Sequence, residues 1–371
     1  MNSTWTLIPP PTAASTMPAS IYLLFAAACG ASTVLAPKDS PSVYCSWLLM
    51  AVAVYRYVTA PTGTDFGLAM ISATYVFQVI AFRIRSRSQH IDRTNLPTRQ
   101  IDWLLMMCTN PRMIGYGGPV GEALPKRRFL MRRGVQLIAG LALLDACHAY
   151  FTLSTWFSRD APLYGVRIAT LPLWKQVGHS LAWVVYAYLL WFIPYNLFAF
   201  VSVAVGFSKT AEWPVLYSSW TEAVSVTSFW SKVWHQTHRH TYSTLADAAC
   251  RMTVQEPGAP RPASAQYIKI TVAFSIPAVF HAAGSLALPA DPQTGKRGCQ
   301  GAALFFLAQG CGVMLERWLS RKTSLRLPPV LGHMWLVAWG ASTLILTGWL
   351  DELVCRQSIV PAESALLKLL R

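Results

Sequence analysis

Apolar residues in this chain gather into long runs instead of alternating with polar ones. A helix needs roughly 20 mostly apolar residues to cross the hydrocarbon core of a bilayer. Runs approaching that length occupy residues 20–36, 43–60, 66–82, 135–153, 179–205, 268–288, 302–318 and 331–350. The pattern predicts an all-α, polytopic integral membrane protein with about eight transmembrane helices. A shorter run, IDWLLMMC at 101–108, cannot span and is expected to be re-entrant or in-plane. GAPRPA at 258–263 is a loop by its proline and glycine content. No repeat or low-complexity tract divides the chain, so residues 1–371 are expected to form one membrane-embedded domain.

Composition agrees with a lipid environment. The chain is 53% hydrophobic and only 13% charged, with a mean hydropathy of +0.36. Soluble domains carry about 25% charged residues. The net charge of +15 would suggest nucleic acid in a soluble protein, but here the basic residues fall in short segments between apolar runs. That is the signature of topology, with basic loops held in the cytosol. Arg83, Arg85, Arg87, Arg93 and Arg99 follow the third run, and Lys126, Arg127, Arg128, Arg132 and Arg133 precede the fourth. Placing both groups in the cytosol puts the N-terminus on the opposite side, and residues 206–266 and 320–328 then fall in the cytosol too. The opening segment, MNSTWTLIPPPT, has no basic stretch of the kind that starts a cleaved signal, so the first run is expected to remain as a helix. Eight cysteines include no CxxC pair and lie mostly within apolar runs, which argues against a disulfide framework or a zinc site.

Two places carry candidate chemistry. Residues 213–242 read WPVLYSSWTEAVSVTSFWSKVWHQTHRHTY, an aromatic-rich stretch bearing three histidines. On a helix, Trp230 and Trp234 would share one face, while His235 and His238 would share the next with Arg239 one turn beyond His235. Tryptophan also belongs at a membrane interface for purely structural reasons. The second place is His281, inside a run with no charge between Lys269 and Asp291. An ionisable residue at such depth is costly and points to function, although a histidine bonded to a backbone carbonyl would also satisfy it. Asp145 and His148, one turn apart, are expected to pair with each other or with a neighbouring helix. His235, His238 and His240 form HxxHxH, but the other five histidines are scattered singly, which leaves too few ligands for a two-metal site, and no metal is expected.

These residues bear a resemblance to a family. SFWSKVWHQTHR, Ser228–Arg239, is similar to the FWG-x-x-WHQ-x-x-R motif of the wax synthase branch of membrane-bound O-acyltransferases, which includes fungal acetyltransferases of secondary metabolism. Trp213-Pro214-Val215-Leu216-Tyr217 resembles the WPPLF-type segment before that motif, NPRMIGYG at 110–117 resembles the PRGIGWN segment, and FFLAQGCGVMLE at 305–316 resembles a late helix carrying a Gln and a Glu. Ser231 stands where the family usually has Gly, Met113 and Tyr116 replace a Gly and a Trp, and Pro277-Ala278-Val279-Phe280 replaces the Ser-Gly-x-x before the histidine.

The resemblance implies an O-acyltransferase of the same fold, acting at the endoplasmic reticulum. Acetyl-CoA would be the co-substrate, with no bound cofactor. The acceptor would be a lipophilic alcohol such as a terpenoid or meroterpenoid. It implies His281 and His235 as the catalytic pair. A neutral alcohol is a weak acid and a poor nucleophile, so a base must take its proton, and neutral imidazole suits the task. His281 would be that base, and His235 would polarise the thioester carbonyl or orient the acceptor. Gln236 and Trp234 would contribute to binding, and Arg239 and Lys232 are candidates for the phosphates of coenzyme A. Interfacial anchoring is the rival explanation for those two cations. The alternatives are a long-chain wax or sterol ester synthase within the same fold and, from another class, a membrane transporter, although the halves show none of the symmetry that transporters often carry. The other partners are membrane lipids; nucleic acid is not one.

Overall fold

The structure is a computed structural model that describes residues 19–35, 40, 42–58, 66–87, 112, 121–154, 156, 166–253, 264–287, 292–323, 327–355 and 364. Among these, every regular element is helical. The helices are α1 (Ala19–Leu35), α2 (Ser42–Val58), α3 (Phe66–Arg87), α4 (Lys126–Leu153), α5 (Leu173–Ala204), α6 (Arg239–Thr253), α7 (Ala265–Leu286), α8 (Pro292–Lys322), α9 (Pro329–Leu346) and α10 (Trp349–Cys355).

Seven of the eight apolar runs correspond to one helix each, and the last, 331–350, covers α9 and the first residues of α10. Six of them, in α3, α4, α5, α7, α8 and α9, are long and apolar enough to cross a membrane, while α1 and α2 are apolar but shorter. The chain is thus a multi-pass, all-α membrane protein. Large apolar side chains such as Leu24, Ile138, Phe198 and Met334 project outward, as lipid contact requires. The run at 101–108 lies outside the described residues.

One correction concerns charge. Arg83 and Arg133 were counted as loop cations, yet α3 continues to Arg87 and α4 begins at Lys126, and both arginines are buried. Arg133 donates to Asn196 Oδ1 on α5 at 2.6 Å and to the Trp213 carbonyl at 2.9 Å. A buried guanidinium is tolerated only with such partners, so this one is a tether, not a topological marker. Asp145 and His148 remain in electrostatic contact one turn apart, Asp145 also accepts a hydrogen bond from Ser364, and the His148 ring lies 6.1 Å from that of Tyr186 on the neighbouring α5.

The centre of the bundle is α7, packed along α8 and also touching α2, α3 and α6. Its two faces serve two cores. Ala278 and Ala282 join the core built from α4, α5, α8, α9 and α10, while Ile276 and Phe280 join that of α1, α2 and α3. Pro277 lies inside α7, one turn before His281. It removes the N–H that would bond the Ala273 carbonyl and loosens the ladder there. Gly348, at a φ of +65°, ends α9 in the left-handed region that favours glycine. The chain can then turn so that Trp349 lies edge-on to His281, with ring centroids 5.3 Å apart.

Candidate active site

The stretch from Val226 to His238 does not form the continuous helix expected above. Ser225 caps a short turn, accepting from Ser228 N. The backbone then widens into a π-turn over Phe229–Val233, closed by Trp234 N donating to the Phe229 carbonyl at 2.7 Å. Trp234 itself is extended (φ −65°, ψ 155°), and α6 begins only at Arg239. The cause is visible in the partners. Glu316 on α8 accepts from Val226 N (2.7 Å), Thr227 N (2.8 Å) and Trp335 Nε1 (2.8 Å). A carboxylate from another helix thereby satisfies amides at a helix start that lack intrahelical acceptors. The Trp230 indole donates to Gln309 Oε1 at 3.3 Å, and Gln309 Nε2 donates to Thr343 Oγ1 at 2.7 Å. Gly332 on α9 lets that helix close on the Val224 carbonyl, where a Cβ would collide.

The other similar segments converge on the same place. Arg112 is buried and donates to Tyr195 Oη (3.1 Å) and to the carbonyls of Pro214 (3.3 Å) and Val215 (3.1 Å). Tyr195 Oη also donates to the Pro214 carbonyl. Gln236 N then bonds the Leu216 carbonyl at 3.2 Å, which joins residues 213–217 to the histidine-bearing turn. Segments separated by about a hundred residues in sequence therefore fix one short piece of backbone.

The piece they fix lines a cavity of about 550 Å³ between α6, α7 and α8. His235 and His281 both line it, as do Trp234, Gln236 and Arg239. Gln236 donates to the Trp234 carbonyl (2.6 Å) and accepts from Arg239 (3.2 Å), which also donates to the Ser231 carbonyl (3.2 Å). Lys232 is exposed and is not among the lining residues. Two other cations, Lys269 of α7 and Arg317 of α8, do line the cavity, with Lys269 ion-paired to Asp247. Neither cation was singled out from sequence. Both sit near helix ends beside the loop that bears the histidines, and that juxtaposition appears only after folding.

The imidazoles are well placed for acid–base work. His235 stacks on Trp191 (5.2 Å between centroids, 28° between planes), and His281 stacks on Phe306 (4.5 Å, 18°). Among the described residues, Nδ1 of His235, His238 and His281 has no hydrogen-bond partner. Burial first, and then the neighbouring His238 and His281, hold His235 well below the ordinary imidazole range. Burial pushes His238 down to about 4. This third histidine packs against His235, 6.1 Å away by ring centroids. Among the described residues no group of three or more His, Cys, Asp or Glu is arranged to hold a metal ion.

Comparison with known proteins bears on this site. Residues 213–308 match the profile of the membrane bound O-acyl transferase family, a segment that contains both histidines. The acetyltransferase eriL of Hericium erinaceus is 27% identical over 68% of this chain and 66% of its own length, just under two thirds of that protein. The acetyltransferase ple2 of Rhodocybe pseudopiperita is 24% identical over 78% of this chain and 74% of its own length. The O-Mevalon transferase yanI of Aspergillus niger is 26% identical over 81% and 70% respectively.

Proposed function

We propose that this chain, a multi-pass membrane acyltransferase similar to the membrane bound O-acyl transferase family, transfers acetyl from acetyl-CoA to a hydroxyl of a lipophilic secondary metabolite of the terpenoid or meroterpenoid type. The observation that carries the reading is the shared cavity, which His235 and His281 both line and to which Arg239, Lys269 and Arg317 supply cations. Those cations suit the phosphates of coenzyme A. On the topology expected from the basic loops, they face the cytosol, at the endoplasmic reticulum.

In this reading His281 takes the alcohol proton as the oxygen attacks the thioester carbonyl. The tetrahedral intermediate then collapses, the C–S bond breaks, and the imidazolium returns its proton to the leaving thiolate. Positioned general bases contribute about 10² to 10⁴ in rate. His235 is kept neutral by burial, so its N–H can donate to the thioester oxygen as negative charge develops there. Gln236, held by Arg239, gives the turn a fixed shape. A site at the membrane boundary lets a lipophilic acceptor arrive from the bilayer and the donor from water, and it shields the thioester from hydrolysis.

Incubating membranes that carry the protein with acetyl-CoA and, separately, palmitoyl-CoA, over a metabolite extract, is the direct test. An acceptor heavier by one acetyl group, formed only with acetyl-CoA, is the expected result; preferential palmitoyl ester formation would reverse the donor assignment. One relative is named for transfer of a mevalon group and not an acetyl group. A larger polar acyl donor is therefore the second reading, and the same extract challenged with such a thioester decides between them.

A further inference from the structure

Two cavities of about 550 Å³ each meet the α7–α8 pair. The first holds the histidines. The second is almost wholly apolar and is lined in part by Val54, Ala73, Ala278, Ala282, Ala303 and Leu307. The two share no lining residue, although α7 and α8 contribute to both. His281 and Phe306 face the first cavity, while Ala278 and Ala282 on α7 and Ala303 and Leu307 on α8 face the second. The Phe306 ring lines the first cavity and not the second. It is 5% exposed, stacks on His281 at 4.5 Å, and is backed by Trp349 at 5.6 Å and flanked by Trp230 at 5.9 Å. Ala278 and Ala282, small residues lining the second cavity, belong to the same buried cluster as Phe306.

We propose that Phe306 is an acyl-length stop: its ring closes the inner end of the donor cavity behind His281, and the apolar cavity beyond it is space that a longer acyl chain would enter if the ring were removed. The proposal rests on the reading of a coenzyme A thioester as donor. With the phosphates at Arg239, Lys269 and Arg317 and the thioester carbonyl between His235 and His281, carbons beyond the carbonyl point away from the cations and onto Phe306. Acetyl has a single carbon there. In an open apolar channel each further methylene would tighten binding about fourfold. Against a ring wedged between His281 and Trp349, each would instead have to displace close-packed aromatic groups.

Unreactive thioether analogues test this without an acceptor. The affinities of S-ethyl-CoA and S-hexyl-CoA are measured on the purified full chain in lipid nanodiscs. The wild type is expected to bind S-ethyl-CoA at least about tenfold more tightly. Phe306→Ala should reverse the order, with S-hexyl-CoA at least about tenfold tighter and S-ethyl-CoA changed by less than about threefold. Phe306→Leu, which leaves a smaller gap and guards against misfolding of the alanine variant, should narrow the preference without reversing it. An unchanged ranking in a correctly assembled variant overturns the stop. Wild-type protein that binds neither thioether overturns the donor reading itself, and the stop with it.

Discussion

His235 and His281 share a cavity, yet they are held there in opposite ways. His281 sits on a regular helix whose place follows from its own apolar pattern and from its packing along α8. His235 sits where no helical ladder holds the backbone, just past a π-turn and an extended tryptophan. Its position is set by the polar side chains of Arg112, Arg133, Gln309 and Glu316, reaching in from elsewhere in the fold. π-turns often mark functional sites, and here the reason is mechanical. A wide turn lets the chain leave the helix and aim the imidazole into the cavity. The difference means that local packing protects one half of the pair, while a network of buried hydrogen bonds protects the other.

The largest effect separates function from fold. His281→Ala should lower ester formation by about 10² to 10⁴-fold, because it removes the positioned base. His235→Ala should cost about 10² to 10³-fold, as loss of a single donor to a developing oxyanion does. Both variants should remain inserted and monodisperse in detergent, since neither ring carries a protein hydrogen bond through Nδ1. Normal turnover in both would remove the pair from the chemistry.

A smaller effect probes the network alone. Glu316 touches neither histidine, but it holds the amides of Val226 and Thr227 and the indole of Trp335. Glu316→Gln replaces one acceptor oxygen with an amide donor and leaves at least one of those N–H groups buried without a partner, at about 1–3 kcal/mol. If that destabilisation is expressed as loss of the active geometry of the turn, turnover falls by roughly tenfold to a hundredfold. His281 should be unaffected, so S-ethyl-CoA should still bind within about threefold of wild type. A fall in affinity as large as the fall in turnover would mean that the turn and the donor cavity are not separable.

The same contrast explains what the sequence made legible. The apolar runs located the eight apolar helices, because lipid forces each span to satisfy its own backbone. His281 was legible for the same reason, as an ionisable group in a stretch with no charge. The path of the backbone around His235 was not. Helical spacing placed His235 and His238 on one face of a helix that ends before either of them, because a carboxylate from α8 and an arginine from before α4 outcompete local propensity. Resemblance identified NPRMIGYG and FFLAQGCGVMLE as parts of one pattern, and only folding reveals that both contribute tethers to the histidine-bearing turn.

The smallest effect concerns the cations. Lys232, a candidate for the phosphates by resemblance, is exposed and lies off the cavity, whereas Lys269 comes from α7 and lines it. Lys269→Gln should raise the KM for acetyl-CoA by about three- to fivefold with kcat unchanged, the size expected for one partly exposed charge contact of up to about 1 kcal/mol. Lys232→Gln should stay within about twofold. Salt sharpens the distinction. At about 1 M ionic strength the Debye length shrinks to roughly 3 Å, and the wild type should converge on the Lys269→Gln value if the lysine works through charge. The ion pair with Asp247 sets the direction of a final control. Asp247→Asn releases Lys269 from its partner and removes a negative charge from the phosphate path, so it should lower KM, opposite in sign to Lys269→Gln. A rise in both variants would instead mean that the pair is needed intact to brace α6 against α7.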